Sequence, residues 1–455
     1  MCMKSTTKIN TINQDMTKGP LAKQIFYFSV PLMISNLLQV FFNMADVAVV
    51  GRFAGAMALG SVGSTTIMVA MFTGFLIGVS GGINVLVALY YGAKHEQNIQ
   101  ETVHSAALLS LGVGLLLMAV GIGFCKPLLQ LLNTKPELID GAVLYISVYF
   151  LGMPALAIYN FGNAVFSAVG DTGRPLRYLT IAGVVNIILN LFFVIVCQMG
   201  VAGVAAASAI SQYLSAFMII AALLRCKENY GLRLSALRLK PDKARDIIKI
   251  GFPAGLQNAI FQMANMFIQA GVNSFSAVMV AGNSAAANAD ALIYDVMAAF
   301  YTACGSFMGQ NYGAKKKHRV LKSYFISLAY SFGIGLTMGL TLVIFGRQFL
   351  GLFTTDPTVL EAGMFRLRIM GFSYGFSAFM DCTIAASRAM GKGLVPTIIV
   401  LMGSCVFRII WVYTIFAYFK TIPSLYLLYI FSWSITAIAE IIYFVKIYKE
   451  KIAKI

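Results

Sequence analysis

Acidic residues are scarce: only 17 Asp or Glu stand in 455 positions, against 34 Lys or Arg. Charged residues of both signs make up 11% of the chain, hydrophobic ones make up 59%, and the mean hydropathy is +0.80. A soluble core of that size would leave too much apolar surface to hide, so the composition excludes a water-soluble globule and predicts an all-α polytopic membrane protein. The seven cysteines (Cys2, Cys125, Cys197, Cys226, Cys304, Cys382 and Cys405) are scattered singly, without metal spacing. They read as small helix-packing residues rather than a disulfide framework or a metal centre. The three histidines, His95, His104 and His318, fall in or beside expected loops and read as solvated. No strand precedes the glycine-rich runs from Gly74 to Gly82 and from Gly333 to Gly339, which makes them packing surfaces rather than phosphate loops. Ser80 has the outline of a nucleophile elbow but lies in an apolar span with no candidate base, so an intramembrane enzyme is not expected. The first 20 residues are polar and basic, and the first apolar run is too long for a signal peptide's core.

That first run, from Leu21 to Arg52, organises the rest. Its helix would be about 45 Å long at ~1.5 Å per residue, more than a hydrocarbon core of ~30 Å requires. Near its far end Asp46 stands among apolar residues. A charge there costs ~2.5–3.5 kcal/mol on insertion scales, so such an acid normally faces a protein cavity and has a task. Gln39, Asn43 and Asp46 are spaced 4 and 3 apart and share one helix face, with Asn36 on the same helix and a kink point at Pro31. The alternative is an acid reaching the outer water layer beside Arg52.

Twelve spans are expected, near 22–50, 57–90, 99–124, 138–168, 175–198, 201–225, 245–273, 276–311, 320–346, 358–388, 394–419 and 424–446. Of the 34 Lys and Arg, 26 fall on one side, eight of them between Arg225 and Lys249. By the positive-inside rule that side is cytoplasmic, as are both termini, while Arg52, Lys126, Lys135, Arg347 and Lys420 mark the other side. Arg366 and Arg368 lie near a span end and Arg408 inside one. The expected division is a cytoplasmic tail (1–24), a six-helix bundle (25–225), a cytoplasmic linker (226–244), a second six-helix bundle (245–446) and a cytoplasmic tail (447–455). The net charge of +17 reflects this topology and contact with anionic membrane lipid; it needs no nucleic-acid partner.

The chain repeats itself. At an offset of 222, Pro31 meets Pro253, Asn36 meets Asn258, Asn43 meets Asn265 and Gly60 meets Gly282. At 221, the run Tyr91 to Lys94 meets Tyr312 to Lys315, Gly170 meets Gly391 and Pro175 meets Pro396. Six spans per half, an even number, make the halves parallel repeats about an axis along the membrane normal, with a central cleft between them. Scaffold positions recur, but Asp46 meets Ile268, Asn186 meets Arg408 and Asn190 meets Val412. Chemistry is expected where the halves differ.

At these residues the chain resembles the multidrug and toxic compound extrusion (MATE) family. The resemblance rests on segments 45–52, 90–94, 170–178, 185–190, 280–295, 309–315, 386–396 and 407–411, in family order over nearly the whole length. It implies a secondary exporter driven by inward proton or sodium flow that expels amphipathic organic cations. It further implies that Asp46, with the fifth-helix pair Asn186 and Asn190 and the sixth-helix hydroxyl of Ser208, forms a cation site in the N-terminal half. Asn190 stands where a second carboxylate is often found in the family. One charge suits a proton better than a dehydrated sodium ion, although Na⁺ at Asp46, Asn186 and Asn190 stays open.

In the second half Asp290 and Asp381 have family counterparts and are expected to line the cavity as unpaired carboxylates that attract cationic substrate, unless Arg408 neutralises one. Asp295 and Glu440 read as hydrogen-bonded or ion-paired interior acids. Gln39, Asn43, Phe42, Tyr159 and Asn265 are the other expected cavity residues, with Met33, Asn160, Met263 and Met266 as further liners of a forgiving cleft. The reading is a monomeric exporter of the inner membrane with no cofactor beyond H⁺ or Na⁺. The alternative is a flippase for a lipid-linked or other amphipathic metabolite, which would need cations in the cleft.

Overall fold

The computed structural model describes residues 15–132 and 134–453. Most of the N-terminal tail expected from the sequence, and the last two residues, therefore lie outside the described residues. Twelve helical spans follow one another: α1 (Leu21–Ala54), α2 (Ala56–Gly92), α3 (Glu96–Leu131), α4 (Pro136–Phe150 continuing as Met153–Ala168), α5 (Gly173–Val196) and α6 (Gly200–Arg225) in the first half. The second half holds α7 (Pro241–Asn273), α8 (Ala277–Gly313), α9 (Lys317–Leu350), α10 (Pro357–Met370 continuing as Tyr374–Ala389), α11 (Leu394–Phe419) and α12 (Ile422–Ile452). Among the described residues nine are long and apolar enough as single helices to cross a membrane, and α4, bent by 47°, makes a tenth. The exceptions carry charge: α7 opens on Asp242, Lys243, Arg245 and Asp246, and α10 contains Glu361, Arg366, Arg368, Asp381 and Arg388.

The duplication read from the sequence is a physical two-fold relation. Asn36 on α1 donates from Nδ2 to the main-chain oxygen of Asp295 on α8 at 2.8 Å, and its repeat mate Asn258 on α7 donates to that of Gly74 on α2 at 3.0 Å. Residues 74 and 295 are themselves 221 apart, so the two halves exchange equivalent contacts. On the axis Ser306 of α8 donates to Asn84 of α2 at 3.0 Å, two positions separated by 222. Gly92 and Gly313, also repeat mates, make a very close crossing between the halves. A Cβ on Gly92 would lie 2.0 Å from the Gln310 carbonyl oxygen, and one on Gly313 would lie 2.0 Å from that of Leu89. Only glycine permits this approach, the small-residue packing through which helices associate in lipid.

The repeat also explains four helix ends. Lys94 (φ 55°) and Lys315 (φ 58°) adopt the left-handed conformation, as do Gly170 (φ 97°) and Gly391 (φ 80°). After Lys94 the His95 N–H reaches the Tyr90 carbonyl at 3.1 Å, and after Lys315 the Lys316 N–H reaches that of Asn311 at 2.9 Å. These are Schellman ends, in which a left-handed residue lets the next N–H close on the last turn.

Between the halves, Arg225 leads into a linker that ends where α7 begins at Pro241. His104 corrects the expectation of a solvated side chain: it is buried, its Nδ1 lies 2.6 Å from the Gln100 carbonyl and its Nε2 accepts from the Arg233 N–H at 3.0 Å. Ser105 Oγ accepts from the Lys240 N–H at 2.9 Å, so α3 holds the linker at its middle and at its far end. At the same end of the molecule Arg319 of α9 donates to the main-chain oxygens of Met16, Lys18 and Gly19 at 3.0, 3.2 and 2.8 Å. The segment before α1 is thereby tied to the second half.

Candidate functional site

Asp46 sits on the face of α1 that meets α5 and α6, with 9% of its surface exposed. One carboxylate oxygen accepts from Asn190 Nδ2, and the other accepts from Ser208 Oγ at 3.1 Å. Asn190 Nδ2 also donates to Asn186 Oδ1 at 3.2 Å, and Asn186 Nδ2 donates to Ser208 Oγ at 3.4 Å. The four side chains make a closed ring with one acid, two amides and one hydroxyl. Asn186 and Asn190 join it because a spacing of four puts them one above the other on α5. One buried atom of the ring has no partner: Asn190 Oδ1. The water-layer alternative for Asp46 does not hold, because the side chain turns inward.

Just beyond the ring, α1 widens to π-helical bonding over Val50–Ala54, and α5 does the same over Phe192–Val196. Such bulges leave the i→i−4 ladder, and they recur at functional sites in helices. Both helices can thus adjust one turn from the acid.

The equivalent place in the second half is filled differently. Ile268 and Val412 are buried in an apolar cluster with Trp411, Phe416, Leu425 and Leu428. Arg408, mate of Asn186, is 1% exposed and lies over the rings of Tyr429 and Phe261 at 4.7 and 4.8 Å. Its Nε donates to Ser432 at 3.1 Å, and its Nη2 is buried without a partner. Arg408 therefore forms no ion pair with Asp290. The residue that does is Arg366, which sequence reasoning set aside as a span-end charge.

Arg366 is buried inside α10, pairs with Asp290 of α8, donates to Asn283 and lies over Tyr426 at 5.1 Å. Tyr374 donates its hydroxyl to the same carboxylate. Asp290 is thus half-buried and compensated, not an unpaired attractor. The signal was present: an arginine within an apolar run needs an internal anion, and Asp290 was available. Asp381 is half-buried, within electrostatic reach of Arg388 and Arg408. Glu440 is fully buried with neither carboxylate oxygen hydrogen-bonded; the charge facing it is Arg388, which donates to Gln257 at 2.8 Å. Asp295 is half-buried, and only its main-chain oxygen meets α1.

Of the expected cavity residues, Gln39 and Asn43 are exposed and Asn265 half-buried, while Phe42 is half-buried with its ring against Gly183 of α5. Tyr159 departs from the expectation. It is 6% exposed in the first half's core, and its hydroxyl donates to the Pro175 carbonyl at 3.2 Å, so it packs α4 on α5 instead of facing a cleft.

The family model described as MatE matches residues 31–192 and 253–414, once in each half. The chain belongs to the MatE family. Its two matched stretches start 222 residues apart (253 against 31), the offset of the repeat. This MatE transporter is 29% identical over 395 residues to the "Probable multidrug resistance protein YpnP" of Bacillus subtilis, covering 87% of this chain and 88% of the relative. It is 25% identical to the "FAD transporter" of Shewanella oneidensis, covering 79% of this chain and 80% of the relative. A crystal structure of MATE in complex with MaL6 superposes with a TM-score of 0.89 over 96% of this chain and 98% of that one, at 21% identity, a likeness of fold. The protein is accordingly a multi-pass membrane transporter with twelve helices in two repeats.

Proposed function

We propose that this MatE transporter is a secondary active exporter of the cytoplasmic (inner) membrane, with both termini cytoplasmic. It exchanges protons for amphipathic, cationic organic molecules by alternating access and works as a monomer without a cofactor. One observation carries the reading: the closed ring of Asp46, Asn186, Asn190 and Ser208 exists in one half only, with Asn190 Oδ1 unpartnered beside the carboxylate. Asp46 is the one carboxylate of the ring, so a proton that reaches the ring from water is taken up there. Once protonated, Asp46 becomes a donor. Rotation of the Asn190 amide then presents its free oxygen to that O–H. The swap removes a buried charge and re-aims α5 against α1 beside both π-helical turns, which is the motion that couples the ring to the cleft.

Sodium would use the same oxygens of Asp46, Asn186 and Asn190. The amide of Asn190 turned towards the acid supports the proton, because it occupies that side with a donor. Gln39, Asn43, Phe42, Asn265, Asp290 and Asp381 are the proposed substrate-side residues. The test is substrate uptake into inverted vesicles with the proton and sodium gradients collapsed in turn. Loss of transport with the proton gradient, and persistence without sodium, is expected.

A second reading has one specific support, the unpartnered guanidinium nitrogen of Arg408 in the second half. Export of an anionic amphipathic metabolite would use it, in keeping with the relative described as an FAD transporter. Uptake of a flavin dinucleotide by the same vesicles, faster than that of an organic cation, would establish it.

A further inference from the structure

Outside the cleft, a cavity of about 600 Å³ opens between the first turns of α5 and the last turns of α6. Its wall is Tyr178 from α5 with Phe217 and Ala221 from α6, and its rim is Arg174, Arg225 and Lys227. Phe217 belongs to the outward stripe of α6 formed by Ile210, Tyr213, Phe217 and Leu224, exposed by 45, 51, 71 and 40%. These spacings of three, four and seven keep one face of the helix turned to the bilayer, so the cavity opens where acyl chains lie. From Phe217 to Arg225 the wall rises about 12 Å at ~1.5 Å per residue, apolar below and cationic above.

Two of the three rim cations are available. Arg174 is neutralised by Asp171, 2.7 Å from its Nε. Arg225 and Lys227 are exposed, and among the described residues neither joins an ion pair; Glu228 on the same rim subtracts one charge. The rim therefore carries one net positive charge, matching one phosphate diester. A basic pocket at a helix end beside an apolar wall is how membrane proteins hold anionic headgroups.

We propose that this groove binds one anionic phospholipid, with its phosphate held by Arg225 and Lys227 and an acyl chain laid along Tyr178, Phe217 and Ala221. The lipid is a structural ligand of the α5–α6 pair, which also carries Asn186, Asn190 and Ser208.

The test is native mass spectrometry of the purified full chain in detergent, titrated with phosphatidylglycerol or with phosphatidylcholine of the same acyl chains. One phosphatidylglycerol should be retained where phosphatidylcholine is lost. Each cation near an anionic lipid is worth about a five-fold change, so Arg225→Gln with Lys227→Gln should weaken retention about 25-fold. Ala221→Trp, which fills the groove without touching charge, should also displace the lipid. If that variant fails to fold, Phe217→Ala, at an exposed position, replaces it and should weaken retention several-fold. Equal retention by the double variant, or equal retention of both lipids, overturns the proposal. Displacement by glycerol 3-phosphate at matching concentration overturns it too, because the site would then be one for soluble anions.

Discussion

Asp46→Asn removes one formal charge from the ring while keeping its shape. The asparagine can still accept from Asn190, and its amide can donate to Ser208 Oγ, now 3.1 Å from the carboxylate. The fold should therefore survive with a loss of about 1 kcal/mol, the ordinary value of a neutral hydrogen bond. Ion binding should not survive. A cation about 4 Å from a carboxylate gains about 4 kcal/mol at an effective dielectric near 20, so losing the charge lowers cation affinity about a thousand-fold. The amide cannot take up a proton in the working range at all. Gradient-driven uptake into inverted vesicles should stop, whereas exchange of substrate across a membrane without a gradient should persist, because the cleft residues are untouched. Export by Asp46→Asn at the wild-type rate, with Asp290→Asn or Asp381→Asn inactive, would place coupling in the second half and refute the reasoning.

Other consequences can be measured separately. Lys94→Gly and Lys315→Gly should each stabilise the protein by about 1 kcal/mol, since a left-handed L-residue costs about 1–2 kcal/mol, while Lys94→Val should lower the melting temperature. Arg366→Met should cut folded yield sharply, because it leaves Asp290 a half-buried, unpaired acid at a cost of about 3–5 kcal/mol; the Asp290→Asn/Arg366→Met pair should recover most of that loss in a thermal unfolding series. Asn190→Asp restores a second acid beside Asp46 and should make efflux respond to sodium, a response read directly as substrate flux against sodium concentration. Single cysteines at Lys240 and Lys135, both exposed, should label from opposite faces of the membrane on a cysteine-free background, and labelling from one face would contradict twelve spans.

Much of this was legible in residue order alone. The duplication was visible because an offset of 221–222 survives wherever two helices must meet across the axis, as at Gly92 and Gly313, where a side chain cannot fit. The ring was legible through the family resemblance, which implies Asp46 with the fifth-helix amides and Ser208; spacing alone adds only that Asn186 and Asn190, one turn apart, can face the same point. Arg366 was missed because its spacing fits a helix end as well as a helix interior, and nothing local distinguishes them. Tyr159 was misplaced because an aromatic beside an asparagine in an apolar span has the same pattern whether its hydroxyl faces a cleft or a main-chain oxygen at 3.2 Å. His104 went the same way: only the returning linker, 129 residues away, supplies the N–H that buries it.

The asymmetry between the halves bears on how such a molecule can be driven. Two equivalent ion sites about a two-fold axis would pull both bundles alike and leave no preferred direction of bending. Here the first half holds a ring whose charge can be cancelled by one proton. The equivalent place in the second half is packed with Ile268, Val412 and Trp411, and a permanent cation, Arg408, is held over two rings. That half has no acid at the matching position, although α11 carries π-helical turns of its own over Leu401–Val406 and Val412–Phe416. In the proposed coupling a change at Asp46 acts on α1, α5 and α6, which share the ring. Of these, α1 and α5 enter π-helical turns that begin within four residues of the ring, and α1 also carries Pro31 below it, where a bend has no hydrogen bond to break. In the proposed mechanism a change at the ring reaches the opposite half through α1, whose Asn36 packs there.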